Sequence, residues 1–139
     1  MTIESKTIRV ETTSGTDIID LTSLVTDELD EFSILNGAVT IFTPGSTAAL
    51  TTIEYERGVI EDLKKAIQRM APEDLYYEHN ERWGDGNGYS HVRAALIGPS
   101  LNIPVIDGRL TLGTWQQIVL IDFDNRARQR KVIVQLAGE

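Results

Sequence analysis

The sequence predicts a single α+β domain spanning residues 1–139, with a mainly antiparallel β-sheet and two main helices. Three observations support this fold class. Short segments that alternate apolar and polar residues, or are rich in β-branched residues, recur along the chain. Two longer segments carry apolar residues at helical spacing, and several links between predicted strands contain turn residues typical of hairpins. The regular strand–helix–strand alternation of a doubly wound parallel sheet is absent.

The first half of the chain contains both main helices. Apolar residues at helical spacing predict one helix from about residue 18 to about residue 32. Residues 57–70 have the clearest apolar stripe, and Pro72 ends this second helix. The predicted strands in this half cover residues 6–12, 38–42 and 47–53.

The second half begins with a long polar connection, residues 74–88, that has no periodicity of its own. Residues 90–97 read as a short helix capped by Ser90, with a strand as the alternative. Asp107–Gly108 is a strong tight-turn signal. The predicted strands here cover residues 101–106, with Pro104 marking an edge or a bulge, and residues 115–123 and 131–136, which are expected to pair as a hairpin.

Composition excludes several classes of function. The formal net charge is −8 and the isoelectric point is near 4.7, which disfavours a nucleic-acid binder because such proteins need a basic face. No apolar run is long enough to span a membrane, and the first residues lack the pattern of a signal peptide. The absence of cysteine excludes disulfides and thiolate chemistry. A cytoplasmic location is the default expectation.

The region from Glu78 to Asp124 concentrates groups that can donate, accept or titrate. It contains both histidines, His79 and His91, and both tryptophans. A neutral imidazole can ligate a metal or transfer a proton near pH 7, so the two histidines are candidate catalytic and metal-binding residues. Their spacing alone is also compatible with structural or solvent-exposed histidines.

A glycine-rich loop lies between the two histidines. Asp85 and Asn87 offer oxygen atoms to a cation, and the amides of Gly86 and Gly88 could approach an anion. A solvated turn is the alternative interpretation. The loop lacks the spacing of a calcium-binding EF-hand.

Two arginines are candidates for holding a phosphate or carboxylate through paired donors. Arg93 is assigned a catalytic role and Arg109 a ligand-binding role. A structural ion pair with Asp107, Asp122 or Asp124 is an equally good interpretation of either residue, and subunit contacts are a third. The remaining candidate ligand-binding residues are the hydroxyl-bearing Ser46, Thr47 and Ser90, with Trp115 and Gln116.

Trp115 and a cluster of arginines near the C-terminus also have purely structural interpretations. Trp115 is as well explained by burial in the core as by contact with a ligand. The arginines at positions 126, 128 and 130 are interpreted as a solvated hairpin edge that discourages strand pairing.

A resemblance to a known family rests on several strings that occur in a fixed order: Pro44-Gly-Ser-Thr-Ala-Ala-Leu-Thr51, Glu78-His-Asn80, Gly88-Tyr-Ser-His-Val-Arg-Ala94, Gly98-Pro-Ser-Leu101, Asp107-Gly-Arg-Leu110, Leu112-Gly-Thr-Trp-Gln-Gln117 and Asp122-Phe-Asp124. Together they cover nearly the whole chain, which resembles the YjbQ-like family, sometimes called secondary thiamine-phosphate synthase. The resemblance implies an antiparallel α+β fold and a homotrimer with polar clefts between subunits. It also implies a weak ability to join a pyrimidine pyrophosphate to a thiazole phosphate.

One position departs from the resemblance. Many relatives have histidine where this chain has Gly45, and with His79 and His91 that residue would complete three imidazoles, the number a catalytic zinc site uses. Here Asp85 or a water could replace it, so a divalent metal, zinc or magnesium, is expected on His79, His91 and Asp85, unless no tight metal site exists.

The expected function is therefore that of a small-molecule enzyme acting on a phosphorylated substrate. The first alternative is a homotrimer that binds a metal or phosphate ligand without catalysis, and the second is a zinc-dependent hydrolase.

Overall fold

The computed structural model describes all residues from 1 to 139 and contains eight strands and four helices. In chain order these are β1 (Thr2–Glu11), β2 (Asp17–Asp20), α1 (Thr22–Glu31), β3 (Gly37–Phe42), β4 (Ala48–Ile53), α2 (Arg57–Met70), α3 (Glu78–Trp83), α4 (Gly88–Ile97), β5 (Ser100–Ile106), β6 (Arg109–Leu110), β7 (Gln117–Asp122) and β8 (Gln129–Gly138). The predicted α+β class is confirmed.

The strands form two antiparallel sheets. The larger has the order β1-β8-β3-β5-β6 and the smaller has the order β2-β7-β4. The main hydrophobic core takes apolar side chains from both sheets and from α1, with Ile41 and Val134 from the larger sheet, Leu50 and Leu120 from the smaller sheet, and Val25 from the helix. The two sheets therefore pack face to face.

A second apolar cluster covers the other face of the smaller sheet. Val119 and Ile121 of β7 contact the helical layer through Ile67 of α2 and Ala94 of α4. Strand β7 is consequently buried on both faces, as its continuous apolar run predicts. This packing fixes α4 against the smaller sheet.

The helix predicted over residues 57–70 has those bounds in the structure, because its apolar stripe faces the smaller sheet and Glu56 caps its first turn. The Glu56 side chain accepts hydrogen bonds from the N–H groups of Gly58 and Val59.

The helix predicted from about residue 18 is wrong at its beginning. Residues 17–20 form β2, which pairs with β7 through contacts such as Ile18 opposite Ile121. Helix α1 begins at Thr22, whose N–H donates to the Asp20 carboxylate. The apolar spacing of the segment fits either element, and pairing with a central strand decides in favour of the strand.

Two further differences concern the second half. The polar connection contains α3, and residues 90–97 are helical within the longer α4. The predicted β7–β8 hairpin is wrong, because both edges of β7 are taken by β2 and β4, whereas β8 pairs with β1 and β3. The segment after Asp122 thus crosses from one sheet to the other. None of the helices is long and apolar enough to cross a bilayer.

Candidate functional site

Helix α3 presents His79 to the loop that follows the helix. The helix ends at Gly84, whose φ of 66° turns the chain back in the left-handed conformation. The turn brings the Asp85 carboxylate to 3.2 Å from His79 Nε2. With Nε2–H donating to Asp85, the neutral ring has its lone pair on Nδ1. Asp85 therefore fixes which nitrogen of His79 can accept a proton.

His91, in the first turn of α4, lies against His79. Their ring centroids are 4.4 Å apart and the rings are inclined by 47°. The structure thus brings together the three side chains predicted for catalysis or metal binding, His79, His91 and Asp85. The Asp85 carbonyl also accepts a hydrogen bond from Asn125 Nδ2, which ties this loop to the segment between β7 and β8.

The environment holds the pKa of His91 below its ordinary value. Burial is the largest cause, and the neighbouring His79 adds to it, while Asp85, Asp124 and the Ser46 carbonyl act in the opposite direction. His91 is therefore a neutral imidazole at pH 7, a form that can accept a proton.

The carboxyl group of Asp85 has a pKa below its ordinary value. Desolvation raises this pKa, but the hydrogen bonds from the Asn87 N–H and from His79 outweigh it. Asp85 is thus an anion at neutral pH and a stable partner for the His79 ring.

A cleft of about 210 Å³, called the histidine cleft below, opens beside His91. Its walls come from the bend before β4, with Gly45 and Ser46, and from α4, with His91 and Ala94. Ser46 is exposed at this cleft, so its hydroxyl is accessible to a ligand.

Beneath this cleft lies a buried network of charged groups. Arg130 binds both oxygens of Asp122, with Nε to Oδ2 at 2.7 Å and Nη2 to Oδ1 at 2.8 Å. Asp124 accepts from Thr47 Oγ1 at 2.9 Å and from Arg128 Nε at 3.1 Å. The Thr47 hydroxyl, predicted to bind ligand, is engaged within this network instead, because it also accepts from Arg130 Nη2.

The predicted catalytic residue Arg93 is directed into the interior. It is 1% exposed, and its guanidinium donates to Ala71 O, Thr16 Oγ1 and Gln68 Oε1. The guanidinium also lies over the rings of Tyr89 and Phe123. These contacts give Arg93 a structural role that joins α4 to α2 and to the segments before β2 and after β7, and its position offers no donor to the cleft.

The amides predicted to bind phosphate are largely engaged within the chain. The Asn87 N–H donates to Asp85 Oδ1 and the Gly88 N–H donates to Asn80 Oδ1. Ser90 Oγ donates to the Asn87 carbonyl, so it too is used locally. Of the predicted loop amides, only that of Gly86 has no partner among these bonds.

The three other predicted ligand-binding residues lie outside the histidine cleft. Arg109 and Gln116 line a separate cleft of about 420 Å³ beside α1. Trp115 is 72% exposed, which contradicts the core interpretation, and it lines a third cleft with Tyr55.

The residues present do not fit a metal ion held by three side chains. His79 Nε2 faces the Asp85 carboxylate rather than a shared centre, and Gly45 contributes no donor side chain. No group of three or more histidine, aspartate or glutamate side chains is arranged to hold a metal. The prediction of zinc or magnesium on His79, His91 and Asp85 therefore has no support in the geometry.

Sequence reasoning missed Arg130, which it placed on a solvated hairpin edge. Residues 130, 132, 134 and 136 share one face of β8, and the last three are fully buried apolar residues. Because side chains alternate between the two faces of a strand, the same alternation places Arg130 on the buried face of β8.

Known proteins match the chain along its length. A sequence model described as "UPF0047 protein YjbQ-like" matches residues 6–139. A UPF0047 protein of Methanothermobacter thermautotrophicus is 34% identical over 139 residues, covering 100% of this chain and 95% of that protein. The UPF0047 protein YugU of Bacillus subtilis is 35% identical over 134 residues, covering 96% of this chain and 98% of that protein.

Solved structures agree with the sequence matches. The crystal structure of a hypothetical protein from Aeropyrum pernix has a TM-score of 0.90 at 32% identity and covers 98% of this chain and 99% of that one. That of an uncharacterized conserved protein of the YjbQ/UPF0047 family from Clostridium acetobutylicum has a TM-score of 0.86 at 33% identity, covering 95% and 99% of the two chains. The chain described here belongs to the UPF0047 protein YjbQ-like family.

Proposed function

We propose that this protein is an enzyme that transfers protons on a small phosphorylated molecule bound in the histidine cleft. The observation that carries the proposal is the contact between His79 and His91, with centroids 4.4 Å apart, next to a cleft that His91 lines. Asp85 orients His79, and burial keeps His91 neutral, so the pair offers two imidazoles of different environment for acid and base roles.

The specific reaction proposed is the formation of thiamine phosphate. A ring nitrogen of a thiazole phosphate attacks the methylene carbon of a pyrimidine pyrophosphate, a carbon–nitrogen bond forms, and pyrophosphate departs. In this scheme an imidazole N–H donates a hydrogen bond to the departing pyrophosphate and stabilises its developing negative charge. Substrate-binding pockets usually have volumes of about 300–1,000 Å³, so the cleft of about 210 Å³ would hold only one end of such substrates.

Self-association into a homotrimer is part of the proposal, because a second copy could enlarge the cleft. The large exposed side chains that could take part include Tyr76, Trp83 and Trp115. Sedimentation velocity tests this point, and a single species with the mass of one chain at micromolar concentration would contradict it.

The test of the catalytic proposal is turnover of the two thiamine precursors, and of simple phosphate esters, by the wild type and by His79→Gln and His91→Gln. General acid–base groups contribute about 10²- to 10⁴-fold to rates, so each variant should lose at least a hundredfold. Lys65→Gln, a change on the exposed face of α2, is the control and should retain activity.

Two outcomes would contradict the proposal. Variants as active as the wild type would remove the histidines from catalysis. Absence of turnover at high enzyme concentration, combined with retained ligand binding, would favour the non-catalytic homotrimer. The zinc-dependent hydrolase is disfavoured by the donor geometry, and it predicts loss of activity on chelation with recovery in zinc.

A further inference from the structure

The guanidinium of Arg130 has one donor group that the protein does not use. Its Nε and Nη2 are bound by the Asp122 carboxylate, and Nη2 also donates to Thr47 Oγ1 at 2.7 Å. Its Nη1 makes no hydrogen bond within the chain, although the side chain is only 10% exposed. The only fully buried side-chain atom without a partner in this structure is Glu28 Oε2, so Nη1 keeps some contact with solvent and its free edge is accessible to a ligand.

The free edge of Arg130 lies next to Gly45, a residue that lines the histidine cleft. A Cβ atom built on Gly45 would be 3.2 Å from Arg130 Nη1, with no other heavy atom within 4 Å. Gly45 lines the cleft together with Ser46 and His91. The bend before β4 therefore places Nη1 next to Gly45, directly behind a residue of the cleft wall.

Two backbone amides lie at the same place. The N–H groups of Gly45 and Ser46 make no hydrogen bond within the chain, and both residues are exposed. The φ of Gly45 is 118°, a conformation that glycine adopts readily and other residues rarely do. Consecutive free amides in such a bend form a concave site for anions, and an arginine edge strengthens it.

We propose that Arg130 Nη1 and the amides of Gly45 and Ser46 form a subsite for the phosphate group of the cleft's small-molecule ligand. This inference deepens the proposed function and rests on it for the identity of the ligand. It moves the phosphate contacts away from the sequence-predicted Arg93 and from the loop amides of Asn87 and Gly88, which have partners within the chain.

The charge balance around Arg130 determines how the subsite attracts an anion. Arg128 and Arg130 face Asp122 and Asp124, so the buried network is formally neutral. Attraction must come from direct hydrogen bonds at short range, since the chain as a whole carries a charge of −8. His91 lines the same cleft.

The test is titration of inorganic phosphate into the ¹⁵N-labelled protein, followed by NMR. Saturable shifts are expected at the Gly45 and Ser46 amides, and no comparable shifts at Gly86 or Arg109. Arg130→Lys should weaken phosphate binding at least tenfold, because one ammonium group cannot hold Asp122 and also reach the cleft. Arg9→Gln is the matched control, since Arg9 is exposed on the outer face of the larger sheet.

A second variant keeps the test decisive if Arg130→Lys is poorly folded. Gly45→Ala retains the guanidinium but places a methyl group against Nη1, and it should also weaken phosphate binding at least tenfold. Acetate in place of phosphate should produce smaller shifts at the two amides, and equal shifts would show a general anion site rather than a phosphate site. Phosphate shifts centred elsewhere, or unaffected by both variants, would overturn the proposal.

The same data separate this inference from the proposed function. Phosphate binding at Gly45 and Ser46 without turnover of any substrate would keep the subsite and remove the catalytic role. Turnover that depends on the histidines but not on Arg130 or Gly45 would keep the catalytic role and remove the subsite.

Discussion

His79 and His91 lie with their ring centroids 4.4 Å apart, although one belongs to α3 and the other to α4. Two imidazoles at this distance cannot both be positively charged without electrostatic cost, and His79 accordingly helps to lower the pKa of His91. Of the two histidine rings, only that of His79 contacts Asp85, so the two rings have different environments.

Replacing His79 by glutamine should raise the pKa of His91 toward about 6.5, the value of an unperturbed histidine. The reason is that His79 contributes to the lowering of the His91 pKa, second only to burial. Titration of the His91 Cε1 proton by NMR measures the change, with Lys65→Gln as the unaffected control. A pKa that stays the same or falls would show that the rings do not interact as described.

The stability of the protein should decrease as the pH falls below about 6.5, the unfolded-state pKa of His91. Because the folded-state pKa of His91 is lowered, the unfolded chain binds more protons between the two pKa values, and protonation favours unfolding there. The groups that face His91 are His79, Asp85, Asp124 and the Ser46 carbonyl.

Urea unfolding at pH 7.5 and pH 5.5 tests this prediction. The wild type should lose more free energy of unfolding between these two pH values than His91→Gln, which lacks the titrating ring. The lowered pKa values of Asp85 and Asp124 place their own contributions in a more acidic window, where stability is lost below about pH 4. Equal losses in the two proteins would contradict the assignment.

Arg93→Met should destabilise the protein by about 2–4 kcal/mol. The variant fills part of the space but leaves the acceptors Ala71 O and Gln68 Oε1 without their buried donor. Thermal and urea unfolding provide the measurement. Arg126→Met, at an exposed arginine, is the control and should change stability by less than about 0.5 kcal/mol. A cost for Arg93→Met no larger than that of the control would mean that this guanidinium does not join α2 and α4 to the segment after β7.

Asp122→Asn should cost about 3–5 kcal/mol, because it removes the carboxylate that binds the buried Arg130 through two hydrogen bonds and leaves only the more distant Asp124, at 3.7 Å from Nη2. Asp107→Asn is a matched control at an exposed turn position with φ of 51°, which asparagine tolerates. Urea unfolding of both variants measures the difference. Equal stability of the two variants would show that the pairing of Asp122 with Arg130 does not hold the sheets together.

Local sequence patterns were sufficient where burial and periodicity agree. The bounds of α2 follow from its apolar stripe and from Pro72, and the burial of β7 on both faces follows from its continuous apolar run. The same reasoning failed for residues 17–20, because a segment of four residues can satisfy a helical and an extended pattern alike, and only its partner strand decides.

The candidate site was predictable in its residues but not in its geometry. The polar, glycine-rich setting of His79 and His91 marks them as candidates, yet their contact depends on a short helix with weak sequence signals. Arg130 could have been found from the inward face of β8, whereas its pairing with Asp122 could not, since that requires knowing that β7 and β8 lie in different sheets.

The interior position of β8 in the larger sheet has a consequence for biosynthesis. Strand β8 lies between β1 and β3, so the larger sheet lacks this interior strand until residues 129–138 have left the ribosome. Until then the nascent chain carries β1 without a neighbour and β3 with one open edge, and such edges favour aggregation. We expect the chain to reach its native state only after translation of this segment, and to depend on chaperones during that interval.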